Sequence, residues 1–227
     1  MILLIESSAA TCSVALSARG EIVSIREIRE PNKHAEVLTV FCDEVMKDAG
    51  LSFAQLDAVA VSKGPGSYTG LRIGVSAAKG ICYATGKPLI AVGTLDAMAQ
   101  GMKAEAKAND LLCPMIDARR MEVYCALFDA DANEISPVEP KVIDENSFAE
   151  ILAGQKILFS GDANTKVKDV LGRFPNAVFT ETGMHSAKHL ALPAEKKFAA
   201  KDFEDLAYFE PFYLKTFHPG PQRSKTE

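Results

Sequence analysis

The chain has 227 residues, 48% hydrophobic and 24% charged, enough for one large domain or two small ones with a real core. Its net charge of −5 disfavours a protein that grips tRNA or DNA by itself, because phosphate neutralisation supplies most of such affinity. Its five cysteines (Cys12, Cys42, Cys82, Cys113, Cys125) form no Cys-x-x-Cys pair, which argues for reduced thiols and against zinc, while the start "MILLIESSAA" lacks the basic region of a signal peptide and no apolar run could span a bilayer.

In chain order, "ILLIES" predicts a strand from Ile2 to Glu6, a loop "SAAT", and a second strand "CSVALSA". Arg19-Gly20 reads as a hairpin turn into "EIVSIREIR". Pro31 and Asn32 open a helix over roughly 33–49, closed by Gly50. "LDAVAVS" (56–62) is a buried strand, followed by "KGPGSYTGLRIG" (63–74) and a helix that runs to Thr85 and stops at Gly86. "KPLIAV" is the next strand, and Thr94 is expected to cap the helix "LDAMAQGM". Strand–helix–strand alternation implies parallel pairing at this end of the sheet.

The second half repeats the plan. "LCPMIDA" ends in Asp117 as the first strand ends in Glu6, and "EVYCALFDADANEIS" matches "CSVALSARGEIVS" with a turn two residues longer. "SFAEILA" predicts a short helix, "KILFSG" a strand, "KVKDVLG" a helix, "NAVFTE" a strand and "HSAKHLAL" a last helix. A weak internal duplication explains this. Two βββαβα lobes facing each other across a cleft resemble the α/β duplicated actin-like (ASKHA, ribonuclease-H-like) fold, with the second lobe reduced. The expected division is an N-terminal lobe carrying the association helices (1–104), a C-terminal lobe (105–217) and a flexible tail (218–227).

The glycine-rich stretch 63–74 has two readings. Glycines before a helix can cradle a phosphate on backbone N–H groups. The stretch lacks the Gly-Lys-[Ser/Thr] ending of a P-loop, and Pro65 removes one donor. Glu6, Gly64, Gly66, Ser67, Asp117 and Arg119 are the weak nucleotide or anion candidates. The alternative is close backbone packing. A mid-helix glycine costs about 1 kcal/mol relative to alanine, and Gly74 and Gly80 call for something that offsets it. The helices at 33–49 and 68–85 are each wider in apolar surface than one sheet contact needs. Pairing with another chain is the favoured reading, through His34, Val37, Leu38, Phe41 and Val45 of the first helix and Leu71, Arg72, Gly74, Val75, Ala78 and Cys82 of the second. Burial of both faces within the domain is the alternative.

"ILLIESSAATCSVALSARGEIV", "GPGSYTGLRIGVSAAKGICYATGKPLIAVGTLDAMA" and "IDARRMEVYCALFD" together resemble the TsaB (YeaZ) family. That family is the partner of TsaD in making threonylcarbamoyladenosine beside the tRNA anticodon. The resemblance is strong from residue 1 to about 130 and looser beyond, where "FSGDANTK" and "PFYLK" (211–215) still match. Glu6 stands where many members carry aspartate. The central block also resembles TsaD itself, whose metal helix carries His-x-x-x-His. Here that stretch is "GTLDAM", with Thr94 and Met98 in the two imidazole positions. A hydroxyl and a thioether cannot replace two imidazole ligands for a hard or borderline dication. The resemblance implies a cytoplasmic, non-catalytic scaffold without cofactor or metal. It implies pairing with TsaD, recruitment of TsaE, self-association through the same surface when alone, contact with tRNA only through the complex, and no membrane. The rival is an ATP-hydrolysing or glycoprotease-like peptidase of the same fold.

Three further features carry readings of their own. His185 and His189 have the i, i+4 spacing of a metal pair, but Pro193 reads as a linker before the next carboxylate, Glu195, and a solvated or capping role is favoured. Glu6 and Asp117 end matching strands whose following turns, "SSAAT" and "ARRME", hold no glycine; carboxylates bonding loop N–H groups is the favoured reading. Arg119 and Arg120 read equally as a site for an anion or a partner's carboxylate and as a solvated hairpin end.

Overall fold

A computed structural model describes residues 1–214; the expected tail, 218–227, lies outside the described residues. The strands β1 (Ile2–Glu6), β2 (Thr11–Ala18) and β3 (Glu21–Arg29) form an antiparallel meander. β4 (Ala58–Ser62) and β5 (Leu89–Val92) add in parallel, giving the order β3-β2-β1-β4-β5. The second sheet holds β6 (Leu111–Asp117), β7 (Glu122–Phe128), β8 (Glu134–Val142), β9 (Ile157–Ser160) and β10 (Ala177–Thr180). Its order, β8-β7-β6-β9-β10, is the same plan strand for strand, so the duplication expected from the sequence is present in the fold.

β1 is buried at all five positions because its sheet is covered on both faces. Leu3 and Ile5 point to one side, toward Leu38 and Val45 of α1 (His34–Asp48) and Val75 and Ala78 of α2 (Tyr68–Thr85). Ile2 and Leu4 point to the other, toward Leu190, Ala191 and Ala194. Each such aliphatic side chain contributes about 1.5–3 kcal/mol when fully buried. Gly86, with φ +69°, ends α2 in the left-handed conformation that favours glycine.

α3 (Thr94–Met102) joins the lobes: Ala97 packs on the first sheet, while Leu95, Met98, Ala99 and Met102 pack on Leu112, Ile116, Phe128 and Leu158 of the second. The N-cap of α3 is Gly93, not Thr94. Thr94 is instead the first helical residue, fully buried, with its hydroxyl unpartnered. In the second lobe α4 (Ala149–Leu152) and α5 (Asn164–Leu171) stand where α1 and α2 stand in the first, and are shorter. This is the reduction the sequence indicates.

The chain then returns. A 3-10 turn (Ala187–Leu190) and α6 (Ala191–Ala199) cover the first sheet, not the second. Pro193 is no linker; it lies in the first turn of α6, where a missing N–H costs nothing. Residues 203–214 continue along the first lobe. Glu204 bridges Leu89 of β5, Lys79 donates to the carbonyls of Ala207 (3.3 Å) and Phe209 (3.1 Å), and the Phe212 N–H donates to Lys63 O (2.7 Å). The described part of 105–217 beyond β10, up to residue 214, therefore packs with residues 1–104. Among the described residues, no helix is long and apolar enough to cross a membrane.

Candidate functional site

The glycine-rich turn is held by its own chain. Ser67 caps α2 by accepting from the Gly70 N–H at 3.2 Å, and the Ser67 N–H donates to Ser8 O at 2.6 Å. A Cβ on Gly66 would strike the Ser8 carbonyl, one on Gly70 the Ser7 carbonyl, and one on Gly74 the Ser7 hydroxyl. Gly64, at φ +114°, would place a Cβ 2.6 Å from Phe212 O. The glycines thus serve close packing, as the sequence suggests, but the backbone that approaches is the β1–β2 loop and the 203–214 segment of the same molecule.

Both strand-end acids bond groups of their own chain, Glu6 from a buried position and Asp117 from an exposed one. Glu6, 1% exposed, accepts from the Ser8 N–H at 2.6 Å and from the Ser8 hydroxyl. Asp117 accepts from the Arg119 N–H at 2.6 Å and from Lys166, whose ammonium also bonds Glu122 O at 2.6 Å. The Asp117 N–H donates to Asp162 Oδ1 at 2.7 Å. Both acids organise loops by bonding their N–H groups.

Between the lobes lies a cleft of about 910 Å³. Gly66, Ser67 and Tyr68 line one wall, Asp117, Arg119 and Arg120 the other, and Tyr213 the rim. Four of the six nucleotide or anion candidates, Gly66, Ser67, Asp117 and Arg119, are therefore brought together, whereas Glu6 and Gly64 stand outside the lining.

The expected interface residues divide. His34 is buried with Nε2 3.1 Å from Thr11 O, and Leu38, Val45, Leu71, Gly74, Val75, Ala78 and Cys82 are buried under α1 and α2. They are core rather than surface, and this corrects their assignment: helical periodicity marks an apolar face without saying which chain covers it. Val37 and Phe41 are half-buried and Arg72 is exposed. Arg72 lies 4.2 Å over the Tyr68 ring and bonds the Tyr213 hydroxyl at 3.4 Å, so the 203–214 segment covers that flank of α2. Parts of both helices stay open. Val37 and Phe41 of α1 and Ile73, Ala77 and Ile81 of α2 are partly exposed, Val40 of α1 is 49% exposed, and Tyr83 at the end of α2 is 86% exposed. Val40 lies outside the expected set and stands at i+3 from Val37 on the same exposed strip.

The stretch corresponding to a metal helix is in the core. Met98 is buried in the second lobe's cluster and Thr94 is fully buried. Among the described residues no three His, Cys, Asp or Glu side chains stand close enough to hold a metal ion. His185 and His189 do not share a helix face, because His185 precedes the 3-10 turn that carries His189. His189 packs against Gly101 of α3, where an added Cβ would lie 2.5 Å from the ring. Burial pushes the His189 imidazole down to about 4, Lys188 adds to the shift and Glu27 opposes it.

A folded-state value below the unfolded one means that the unfolded chain takes the proton first. Stability from the neutral ring is therefore complete above the ordinary histidine range near 6.5 and is lost as pH falls toward about 4. The loss is on the order of 2–3 kcal/mol after allowance for partial exposure. His189→Gln should flatten this slope. Urea unfolding of both proteins at neutral pH and near pH 4.5 checks it, and an unchanged difference between them at the two pH values would remove the assignment.

Residues 29–215 match the TsaD family, tRNA N6-adenosine threonylcarbamoyltransferase. The tRNA threonylcarbamoyladenosine biosynthesis protein TsaB of Haemophilus influenzae is 37% identical over 123 residues, 54% of this chain and 51% of that protein. The aligned part thus spans about half the length of that relative. The Bacillus subtilis TsaB is 29% identical over 226 residues, 94% of this chain and 93% of that one. YeaZ from Pseudomonas aeruginosa superposes with a TM-score of 0.77 at 24% identity, over 94% of this chain and 99% of that one.

Two lobes with one strand order, a cleft between them and a helix shared across it define a duplicated actin-like α/β protein. Within that class, the chain belongs to the TsaB (YeaZ) family.

Proposed function

We propose that this protein is a non-catalytic subunit in the synthesis of threonylcarbamoyladenosine on tRNA, and that it acts by pairing with a TsaD-type transferase. The observation that carries the reading is the apolar strip left exposed on α1, with Val40 at 49% exposure beside the half-buried Val37 and Phe41. An apolar strip of this kind is costly to leave in water and suits a helix-on-helix contact. The core placement of Thr94 and Met98 supports the non-catalytic part, since neither side chain is a dication ligand of the required kind. The names of the Haemophilus and Bacillus relatives support the pathway. The formal charge of −5 supports contact with tRNA through the assembly rather than by this chain. On the same reading this exposed strip of α1 pairs two copies when the transferase is absent, the assembled pair recruits the small ATPase TsaE, and the work is done in the cytoplasm.

Co-expression with the same organism's TsaD tests the pairing. The expected result is a stable complex of the two chains and, for this chain alone, the scattering mass of a dimer. A monomer that does not retain TsaD would contradict the proposal.

A further inference from the structure

Beyond α6, residues 203–214 run along the outside of the first lobe. They leave from a fixed point. The Lys201 N–H donates to Phe198 O at 3.0 Å and the Asp202 N–H to Lys197 O at 2.9 Å, with Lys201 in the left-handed region at φ +55°. These bonds close the end of α6, whose Ala191 and Ala194 are buried on the first sheet.

The segment then crosses three parts of the lobe. At its start the Glu204 N–H donates to Leu89 O at 2.9 Å, on β5, the edge strand of the first sheet. In its middle Lys79 of α2 donates to the carbonyls of Ala207 and Phe209, while Leu206 and Phe209 rest on the lobe's core. At its end the Phe212 N–H donates to Lys63 O at 2.7 Å, Arg72 Nε donates to the Tyr213 hydroxyl, and the Tyr213 ring lies 4.8 Å from that of Tyr68. Phe212, Tyr213 and Leu214 line the interlobe cleft there.

This hold is slight. None of residues 203–214 is buried, whereas all four residues of β5 are. Leu206 and Phe209 are only partly buried. The bonds from Arg72 to Tyr213 and from Lys79 to Ala207 O lie at the surface, where water competes for them. Few buried apolar contacts and exposed hydrogen bonds mark an element that opens before the rest of a fold. Lys79 grips the segment on both sides of Tyr208, so one ammonium joins its two halves. Without that grip, Glu204 and Phe212 keep the backbone bonds to the lobe, too little to hold an irregular chain against its conformational entropy.

We propose that residues 203–214 form a latch: closed, they cover the β5 edge, the Arg72–Lys79 flank of α2 and one rim of the cleft, and they open as one unit about the end of α6, releasing all three together. The sites on either side of the latch are thereby linked. A ligand that rests on Tyr213 from the cleft favours the closed state, and a partner that takes Arg72 or Lys79 favours the open one. The latch does not depend on what pairs along α1.

The test is amide hydrogen exchange of the full chain, resolved by NMR and expressed as protection factors. The Glu204 and Phe212 amides stand at the two ends of the latch and both bond the body of the lobe. Their protection should agree within about threefold and lie about a hundredfold or more below that of Leu4 in β1 and Ala60 in β4. Lys79→Met keeps the aliphatic stem and removes the ammonium. It should lower both latch values about tenfold and leave Leu4 and Ala60 unchanged. Latch protection as high as that of β1 would mean that the segment opens only with the whole fold. A Phe212 value far below that of Glu204 would mean a fraying end. Latch values that do not move in Lys79→Met, or that fall no further than those of Leu4 and Ala60, would deny Lys79 its part. Each of these results would overturn the proposal.

Discussion

Gly74→Glu is expected to unfold the protein rather than to split a complex. Gly74 lies on the buried face of α2, and a Cβ there meets the Ser7 hydroxyl, with Ser7 Cβ at 3.1 Å and Ile5 Cγ2 at 3.6 Å. Ser7 is itself fully buried and its hydroxyl has no partner. A glutamate side chain would have to push α2 off β1 or leave a carboxylate in the core. An unpaired buried charge costs several kcal/mol, on the order of 4 or more here. Replacing a mid-helix glycine returns only about 1 kcal/mol. Against a typical total of about 5–15 kcal/mol, the variant should lose most of its cooperative transition at physiological temperature, visible in near-ultraviolet circular dichroism. A folded variant with an unchanged melting point and no partner binding would place Gly74 back on an interface.

Val40→Glu should show the reverse behaviour. Val40 is 49% exposed on α1, so in the free chain its glutamate remains in water and stability should shift by no more than about 0.5 kcal/mol. In a complex built on that exposed strip of α1 the same carboxylate would be buried without a partner, at a cost of several kcal/mol and therefore a loss of affinity of about a hundredfold or more. Scattering should report one chain where the parent gives two, and the TsaD pull-down should fail while the melting point stays. A Val40→Glu protein that still dimerises and still retains TsaD would show that this strip of α1 is not the pairing surface.

The contrast between these two residues shows how far the sequence could be read. The duplicated plan was legible because periodicity and turn residues are local. Glu6 and Asp117 end equivalent strands, and Gly86 stops α2 with the only kind of backbone that readily takes a positive φ there. The close approach at Gly66, Gly70 and Gly74 was legible too, since small residues at a helix start demand it. Which backbone approaches was not, because Ser7, Ser8 and Phe212 are far away in sequence. The 203–214 segment has neither helical nor strand periodicity, so nothing announced that it would cover the Arg72 and Lys79 flank of α2. The turn at Arg119–Arg120 was legible, but its left-handed backbone was not, because the positive φ values fall on residues that give no signal for them. The wide apolar wheels of α1 and α2 led to too many interface residues, because eight of the eleven face the molecule's own sheet and loops.

The central claim is that this chain supports tRNA modification by pairing through α1 and α2. The most direct measurement is the threonylcarbamoyladenosine content of bulk tRNA, by nucleoside mass spectrometry, in cells of its own organism depleted of this protein and supplied with a second copy. The account predicts that the nucleoside falls on depletion, returns with the parent sequence, and does not return with Val40→Glu expressed to the same folded level. An unchanged nucleoside on depletion, or full recovery with Val40→Glu, would contradict it.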